Sequence, residues 1–335
     1  MKHRCKITVM GDGGWGTTLA LLLNGNGQDV CLWGAFADYT NQIIKKRENF
    51  KFLPGFKIPE TIRLVSGSPE VGCEAADIVV LAVPAQYLRG VLRQVNPKQI
   101  RGKVVVTVVK GIEMRTLKVM SEVIHQEWGP VTLCALSGPN IAREIAMEMP
   151  AAASIASSNK SARALVRKAF TTRQFCLFES ADVMGVELGG ALKNVIAICA
   201  GILEGLGLGS NARAVLFARG VAEMARLGMR MGAHRETFMG LSGLGDLATT
   251  CLSPHSRNRW LGEEIGKGKT LKQILKETPM IVEGVATAKA AYGLARRYRV
   301  AMPIVESVYS ILFHDKNPRL AANALMHREF TSELD

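Results

Sequence analysis

A lysine lies in the middle of an apolar stretch in the second half of the chain. Lys193 follows residues 188–192, Leu-Gly-Gly-Ala-Leu, and Val-Ile-Ala-Ile follows at 195–198. If this stretch is a buried helix, the ammonium must reach solvent, pair with a carboxylate or titrate below its ordinary pKa. Lysines held among apolar groups are candidates for acid–base catalysis. We therefore predict that Lys193 exchanges a proton with a substrate, in preference to extending to the surface.

Two polar residues are candidate partners for this lysine. Asp246 follows the sequence Gly-Leu-Gly at 243–245, and its carboxylate can pair with Lys193. Alternatively, it caps a helix that begins with residues 247–250. Asn194, the next residue along the chain, is the second candidate partner.

Other polar groups stand where an anion can bind. Lys110 comes directly after the apolar run 104–109, where a cation can hold a phosphate or polarise a carbonyl; the alternative is a surface lysine in a loop. Ser256, Arg257 and Asn258 open a helical pattern. Their hydroxyl, guanidinium and amide donors suit a phosphate at a helix start, and an ordinary capping box explains them equally well.

A glycine pattern near the N-terminus predicts dinucleotide binding. The β-prone run 7–10 leads into Gly-x-Gly-x-x-Gly at Gly11, Gly13 and Gly16, and a helix-prone apolar run follows. The first glycine permits a tight turn, the second leaves room for a pyrophosphate, and the third allows close packing of helix and strand. The backbone N–H groups at the start of the helix then face the phosphates. This context favours a dinucleotide site over a chance glycine-rich turn.

The elements that must position these residues can be predicted from hydrophobic patterning. Short apolar runs alternate with helical patterns in the first half, which predicts an α/β Rossmann-like domain with a mostly parallel sheet and helices on both faces. The predicted strands are 7–10, 30–33, 62–65, 78–83, 104–109, 131–136, 152–156 and 175–178. The predicted helices between them include 15–26, 85–95, 117–127 and 161–170.

The second half has a different pattern, because strand signals nearly vanish after Asp182. Long helical patterns follow at 186–203, 212–231, 259–267 and 285–298. We therefore predict a dinucleotide-binding domain at 1–182 and an all-helical substrate-binding domain at 183–335. Ligands in an open parallel sheet bind at the carboxyl ends of the strands. Gly138 and Asn140 follow one such end, and Asn140 is the predicted cap of the next helix.

Composition excludes several classes of function. The net charge of +13 suits an anionic ligand, a nucleic acid or an acidic membrane surface, but no basic tail or aromatic-interleaved basic stripe indicates a nucleic acid partner. The longest apolar run, 195–203, is shorter than the ~20 residues that span a bilayer, and the N-terminus lacks a signal-peptide pattern. The seven cysteines are scattered, without a metal-ligand spacing. We expect a soluble, cytoplasmic protein with reduced thiols, no metal site and no stable membrane insertion.

Taken together, these motifs resemble those of the bacterial glycerol-3-phosphate dehydrogenases, the soluble NAD(P)-dependent kind. The matching motifs, in chain order, are the glycine pattern with Trp15-Gly16, Lys110-Gly111, Ser137-Gly138-Pro139, residues 189–194, residues 243–247 and residues 256–258. The resemblance implies reversible hydride transfer between NAD or NADP and C2 of dihydroxyacetone phosphate. It also implies a homodimer that supplies sn-glycerol 3-phosphate for phospholipid synthesis.

The resemblance also assigns roles to individual residues. It implies that Lys193 is the catalytic acid–base residue and that Asp246 orients it and the substrate. The implied substrate-binding residues are Lys110, Gly138, Asn140, Lys193, Asp246, Ser256, Arg257 and Asn258. The implied cofactor-binding residues are Gly11, Gly13, Gly14, Trp15, Gly16, Lys110, Ala142, Arg257, Ile281 and Glu283.

The chain departs from that family at the end of the second predicted strand. Trp33 is followed by Gly34 and Ala35, where the family commonly has an arginine or histidine just past the tryptophan. This position therefore has neither an acid for a ribose 2′-hydroxyl nor a cation for a 2′-phosphate. Asp29 starts the strand and points to the wrong end, and Asp38 is an outside candidate. The choice between NAD and NADP stays open.

Two other functions fit parts of the sequence. A related two-domain dehydrogenase, acting on another small hydroxy acid or sugar, would share both halves but leave residues 256–258 without a phosphate to bind. A non-catalytic NAD-sensing or nucleic-acid-binding module would leave a buried Lys193 without a purpose. The glycerol-3-phosphate dehydrogenase interpretation accounts for both features.

Overall fold

The computed structural model describes residues 4–278 and 280–326, which form two compact units. One unit contains the described residues up to Val109 together with Met120–Val183. The other contains Lys110–Val119 and the described residues from Met184 onward. The change of unit at Val183 lies next to the predicted boundary at residue 182. Residues 110–119, which fall inside the first predicted domain, group with the second unit.

The first unit is built on an eight-stranded sheet. Its strands are β1 (Lys6–Met10), β2 (Asp29–Gly34), β3 (Arg63–Ser66), β4 (Ile78–Leu81), β5 (Val104–Thr107), β6 (Thr132–Ser137), β7 (Ala151–Ala156) and β8 (Phe175–Ser180). Their order across the sheet is β3-β2-β1-β4-β5-β6-β7-β8. Every neighbouring pair is parallel except β6 and β7, which are antiparallel. The predicted mostly parallel sheet is confirmed.

Helices cover both faces of this sheet. They are α1 (Gly14–Gly25), α2 (Ala37–Lys46), α3 (Glu70–Cys73), α4 (Ala85–Leu92), α5 (Met120–Trp128), α6 (Ala142–Ala146) and α7 (Lys160–Phe170), with a 3₁₀ turn at Pro97–Ile100. Successive residues of a strand point to opposite faces. On β4, Ile78 and Val80 therefore pack in the cluster that contains α1, whereas Val79 and Leu81 pack in the cluster that contains α4 and α5. Burial on both faces explains the continuous apolar runs in the sequence.

The second unit is helical, as predicted. Its helices are α8 (Val183–Gly205), α9 (Ser210–Arg230), α10 (Arg235–Met239), α11 (Asp246–Leu252), α12 (Arg257–Gly266), α13 (Leu271–Glu277), α14 (Glu283–Tyr298), α15 (Pro303–His314) and α16 (Pro318–Met326). A π-helical turn at Leu241–Gly245 precedes α11. Helix α8, which begins at the last residue of the first unit, is buried at every position from Gly185 to Leu203.

Helix α8 is long and apolar enough to cross a membrane by length and composition. Its whole apolar window is buried inside the protein, however, and a buried core helix must be apolar on all sides. The core position therefore accounts for its composition, and the absence of membrane insertion stays a prediction.

The predicted elements are present, with shifts at their ends. All eight strands lie within two residues of the predicted bounds. The predicted helix 117–127 instead begins at Met120, because the preceding residues form a tight turn. In that turn Ile112 and Val119 form an isolated antiparallel bridge, and Leu117 has a positive φ of 61°.

A buried carboxylate joins two helices of the second unit. Glu223 of α9 is 1% exposed, and it accepts the backbone N–H groups of Ile304 and Val305 at the start of α15, at 2.7 and 3.4 Å. Burial raises the pKa of Glu223 from 4.5 to about 7, although these hydrogen bonds oppose the shift. A carboxyl group whose pKa is raised by folding stabilises the protein below its unfolded pKa. That contribution is lost as the pH rises through the folded pKa.

The wild type is expected to lose stability between about pH 5 and about pH 8 as Glu223 deprotonates. Glu223→Gln is expected to lose less, because a glutamine side chain does not titrate. The wild-type loss from this group is on the order of 3 kcal/mol, given the shift from 4.5 to about 7. Denaturant unfolding followed by circular dichroism at both pH values measures the change in the free energy of unfolding. Glu236→Gln removes an exposed carboxylate of α10 and is the control. The same pH dependence in wild type and Glu223→Gln would contradict the assignment.

Candidate functional site

Two lysines and one aspartate form a cluster in the second unit. The Nζ atom of Lys193 lies 2.8 Å from Oδ1 of Asp246, and the Nζ atom of Lys110 lies 2.6 Å from Oδ2. Each carboxylate oxygen therefore binds a different ammonium. Lys193 and Asp246 are 6% and 1% exposed. The predicted pairing of Lys193 with Asp246 is confirmed, and the lysine does not extend to the surface.

The elements that carry this cluster explain its geometry. Lys193 lies in the middle of the buried helix α8, so its side chain is surrounded by protein. Asp246 is the first residue of α11, and the preceding Gly245, rather than Asp246, is the N-cap. The capping alternative for Asp246 is therefore wrong. The carboxylate follows the π-helical turn at Leu241–Gly245, a type of turn that is frequent at functional sites.

The segment Lys110–Val119 places the second lysine in the cluster. It folds back on itself through the bridge between Ile112 and Val119 and a hydrogen bond from the Glu113 N–H to the Lys118 carbonyl. The amide of Asn194 also donates to the Lys110 carbonyl, at 3.3 Å. Lys110 follows the first unit's sheet in sequence, but these contacts hold it in the helical unit.

Burial and the neighbouring charges shift the pKa values of Lys110 and Asp246. Burial lowers the pKa of Lys110 to about 8, although the charge of Asp246 opposes this shift. Burial favours a higher pKa for Asp246, yet the ammonium groups of Lys110 and Lys193 hold it below its usual range. With both lysines protonated, two positive charges thus face one carboxylate. Such a cluster can attract an anion and stabilise negative charge on an oxygen, and the pKa of about 8 allows Lys110 to exchange a proton near that pH.

A fourth member of the cluster was not predicted from the sequence. The Oγ1 atom of Thr250 accepts a hydrogen bond from Nζ of Lys193 at 2.5 Å and lies 3.4 Å from Oδ1 of Asp246. Thr250 stands four residues after Asp246, and such residues share one face of a helix. That spacing is the signal that could have identified it.

Asn194 does not bind Lys193, so that prediction is wrong. Neighbouring residues on a helix do not face each other. The Asn194 amide instead donates to the carbonyls of Gly190 and Lys110, and its oxygen accepts from Nδ2 of Asn258 at 2.8 Å. The oxygen of Asn258 accepts the N–H of Gly284 at 2.9 Å. These amides connect α8, α12 and α14, which gives Asn258 a structural role.

The two residues before Asn258 differ in whether their polar groups are used within the protein or are exposed. Ser256 is the N-cap of α12, and its hydroxyl accepts the N–H of Arg259 at 3.2 Å, but Arg259 at the third helical position cannot complete the capping box that was the alternative. Arg257 begins the helix and is exposed, and its charge interacts with that of Glu283, the first residue of α14. Ile281 is 41% exposed. The guanidinium of Arg257 is therefore the polar group of this segment that is accessible to a ligand.

The glycine pattern lies in the first unit between β1 and α1. Gly11 has φ +124°, and a Cβ there would lie 2.8 Å from the Ala82 backbone. A Cβ on Gly16 would lie 1.9 Å from the Gly11 carbonyl oxygen, and one on Gly14 would lie 2.7 Å from the Phe52 carbonyl oxygen. The fold itself therefore requires these three glycines.

Gly13 differs from the other glycines of the pattern. It is the N-cap of α1 with φ −70°, which any residue can adopt, and a Cβ there would meet no atom of residues 4–278 and 280–326 within 4 Å. No residue that the structure describes requires a glycine here, but a pyrophosphate at the helix N-terminus does. The open space before Gly13 therefore fits a dinucleotide.

Two further observations fit a ligand at this helix. The indole Nε1 of Trp15 is buried and has no hydrogen-bond partner among residues 4–278 and 280–326, whereas buried donors are normally paired. Ala142 begins α6 beside α1, since its carbonyl accepts the hydroxyl of Thr18 at 3.1 Å. The structure therefore brings Ala142 close to the glycine pattern.

Gly138 and Asn140 have more local explanations. Gly138 has φ +153°, and a Cβ there would lie 2.8 Å from the Cα of Ala153 on β7, so packing requires the glycine. Asn140 is not the helix cap that the sequence predicts. Helix α6 begins at Ala142 and its N-cap is Ile141, and a cap must directly precede the first helical residue.

Comparisons with known proteins cover nearly the whole chain. The model of the NAD-dependent glycerol-3-phosphate dehydrogenase N-terminus matches residues 6–163, and that of the C-terminus matches residues 182–323. The chain belongs to this family. Proteins named glycerol-3-phosphate dehydrogenase (NAD(P)+) from Geobacter sulfurreducens and Syntrophotalea carbinolica are 47% and 46% identical over 331 and 332 residues. These matches cover 98% of this chain and 98% and 99% of the two relatives.

A solved structure of the family has the same fold. The crystal structure of glycerol-3-phosphate dehydrogenase from Coxiella burnetii is 33% identical and superposes with a TM-score of 0.92. The match covers 97% of this chain and 99% of the other. The family resemblance stated from the motifs is confirmed, whereas the roles of the individual site residues remain proposals.

Proposed function

We propose that this chain catalyses the reversible NAD(P)-dependent interconversion of dihydroxyacetone phosphate and sn-glycerol 3-phosphate. The buried cluster of Lys110, Asp246 and Lys193 carries the proposal, because its charges suit a carbonyl that becomes an alcohol. The relatives, named for this reaction, support it. The net charge of +13 is also favourable for a phosphorylated substrate and an anionic cofactor.

The first unit binds the cofactor in this proposal. The backbone N–H groups at the start of α1 hold the pyrophosphate in the open space before Gly13, and the indole N–H of Trp15 is available as a further donor. When bound, the nicotinamide supplies the hydride for reduction and accepts it in oxidation. NAD and NADP have the same nicotinamide, so this chemistry does not depend on which one binds.

The lysine cluster manages the charge on the substrate oxygen. During reduction the C2 carbonyl oxygen gains negative charge, and the Lys193 Nζ donates a proton to it. Lys110 supplies a second positive charge, while Asp246 keeps both ammonium groups in place through hydrogen bonds of 2.8 and 2.6 Å. In oxidation, neutral Lys193 takes the proton back from the C2 hydroxyl. Asp246 and Thr250 both accept hydrogen bonds from this Nζ and so hold it in position.

A matched pair of substrates tests this function. Oxidation of NADH or NADPH is followed by nicotinamide absorbance with dihydroxyacetone phosphate and with unphosphorylated dihydroxyacetone. We expect rapid oxidation with the phosphorylated substrate and little with the other. Equal rates with both substrates would instead identify a dehydrogenase for an unphosphorylated substrate. Cofactor binding without oxidation of either would favour a non-catalytic NAD-binding protein.

Arg257→Ala is expected to raise the KM for dihydroxyacetone phosphate about 10- to 100-fold, since a charge-assisted hydrogen bond to phosphate contributes ~1.5–3 kcal/mol. The exposed guanidinium at the start of α12 motivates the assignment. Steady-state kinetics measure the change, with the exposed Arg235→Ala variant as control. An equal loss with unphosphorylated dihydroxyacetone would place Arg257 away from the phosphate, for example on the cofactor.

The biological setting is a separate part of the proposal. We propose a cytoplasmic homodimer whose product supplies phospholipid synthesis, without a nucleic acid partner. The named activity of the relatives supports the metabolic role. Light scattering after gel filtration tests the dimer, and a mobility-shift assay with duplex DNA tests the absence of nucleic acid binding.

A further inference from the structure

The carboxyl end of β2 contains a carboxylate that the strand itself does not supply. A Cβ on Gly34, the last residue of β2, would lie 2.2 Å from Oδ2 of Asp12 and 2.1 Å from Oγ1 of Thr40. Asp12 belongs to the glycine loop after β1. Its carboxylate therefore occupies the space that a side chain at position 34 would fill.

The parallel pairing of β1 and β2 produces this arrangement. Met10 is in register with Trp33, and the N–H of Gly11 donates to the Trp33 carbonyl at 2.9 Å. The glycine loop and the end of β2 are therefore adjacent. In dinucleotide-binding sheets this is where an acidic residue, usually from the second strand, binds the ribose 2′-hydroxyl.

A network of hydrogen bonds holds Asp12 in place. Its Oδ2 accepts the hydroxyl of Thr40 at 3.0 Å, and its backbone carbonyl accepts Nδ2 of Asn49 at 2.7 Å. The same Nδ2 lies 2.7 Å from Oγ1 of Thr17 on α1. Asp12 is 8% exposed and forms no ion pair within the part of the chain that the structure describes. The carboxylate is fixed and its charge is not neutralised by a neighbouring cation.

The residues that follow Gly34 do not offset this charge. Ala35 and Phe36 are both exposed and uncharged. The basic residues of α2, Lys45 and Lys46, are in its last turn, at the end of the helix away from Gly34. Residues 34–36 therefore place no cation beside Asp12.

We propose that Asp12 selects NAD(H) over NADP(H), an inference that rests on the proposed function. The ribose 2′-hydroxyl of NAD(H) can donate a hydrogen bond to the carboxylate. The 2′-phosphate of NADP(H) instead places additional negative charge against it, and residues 34–36 supply no cation to compensate. The acid that most such sheets carry on β2 is here supplied by the glycine loop.

Titration of nicotinamide fluorescence measures the binding of NADH and NADPH to the wild type and to Asp12→Asn. The wild type is expected to bind NADH at least ~10-fold more tightly than NADPH. Asp12→Asn keeps an oxygen for Thr40 but removes the negative charge. We therefore expect the ratio of NADH affinity to NADPH affinity to fall about 10-fold, mainly because NADPH binds more tightly. Asp38→Asn removes an exposed carboxylate of the neighbouring helix α2 and is the matched control, with an unchanged ratio.

A second variant leaves the buried network intact. Ala35→Arg places a cation at an exposed position next to Gly34. It is expected to lower the ratio of NADH affinity to NADPH affinity without altering Asp12. The proposal would be overturned if the wild type bound NADPH as tightly as NADH. It would also be overturned if neither Asp12→Asn nor Ala35→Arg changed the ratio of NADH to NADPH affinity. If the ratio of NADH to NADPH affinity changed in Asp38→Asn but not in Asp12→Asn, Asp38 would be the residue that selects the cofactor. Loss of the dihydroxyacetone phosphate reaction with a normal binding ratio would refute the proposed function but not this inference.

Discussion

Lys193→Ala is expected to lower turnover about 10²–10⁴-fold in both directions, since it removes the proton donor and acceptor for the substrate oxygen. The lysine Nζ lies 2.8 Å from Asp246 and 2.5 Å from Thr250, in a buried position. The variant should fold, because Asp246 keeps its second ion pair with Lys110 at 2.6 Å. Steady-state kinetics in both directions measure the loss.

Lys193→Arg separates the charge of this residue from its ability to give up a proton. Arginine keeps the positive charge but does not deprotonate in proteins, so this variant is also expected to be strongly impaired. Cofactor affinity should be unchanged in both variants, because the glycine pattern belongs to the other unit. Lys289→Ala, an exposed lysine on α14, controls for a general loss of positive charge.

Near-normal turnover of Lys193→Arg in both directions would contradict the acid–base role. Lys193 would then supply only positive charge to the substrate oxygen. Lys110 would be the next candidate for proton transfer, since burial lowers its pKa to about 8. The pH dependence of a Lys110→Arg variant would test that second assignment.

Gly13→Val is expected to abolish dinucleotide binding while the protein stays folded. A Cβ at this position meets no atom within 4 Å in the described part of the chain, and φ of −70° is accessible to valine. The added side chain would fill the space in which a pyrophosphate approaches the start of α1. Fluorescence titration with NADH measures binding, and circular dichroism checks the fold.

The other end of the same helix provides a matched control. A Cβ on Gly25, the last residue of α1, would also meet no atom of the described residues within 4 Å, and the φ of this glycine is not positive. Gly25→Val is therefore expected to leave NADH affinity unchanged. If Gly13→Val bound NADH as well as this control, the open space before Gly13 would not be the cofactor site.

Much of the fold was predictable because it depends on local patterns. Strands buried on both faces must be apolar along their length, and alternating helices must cover them, so the run from β1 to β8 was evident. The antiparallel pairing of β6 and β7 was not. Strand direction depends on how the chain crosses the sheet, which residue patterns do not encode.

The candidate site was predictable only in part. The three spaced glycines were evident because their spacing is local. The pairing of Lys193 with Asp246 was one of several alternatives, since 53 residues separate them. The wrong prediction for Asn194 came from treating a sequence neighbour as a spatial neighbour, whereas the wrong prediction for Asn140 came from placing the start of α6 too early. On a helix, a side chain lies beside the residue four positions away, whereas the next residue along the chain points in a different direction.

The end of β2 shows most clearly what each level of structure determines. The sequence by itself established a dinucleotide-binding loop and the absence of an acid or a cation at residues 34–36. Only the tertiary structure placed the Asp12 carboxylate in that position. Parallel pairing brings the end of one strand beside the loop that follows its neighbour, and the missing side chain of Gly34 leaves room for a carboxylate from a different segment. Side chains distant in sequence meet through strand pairing, which no local motif records.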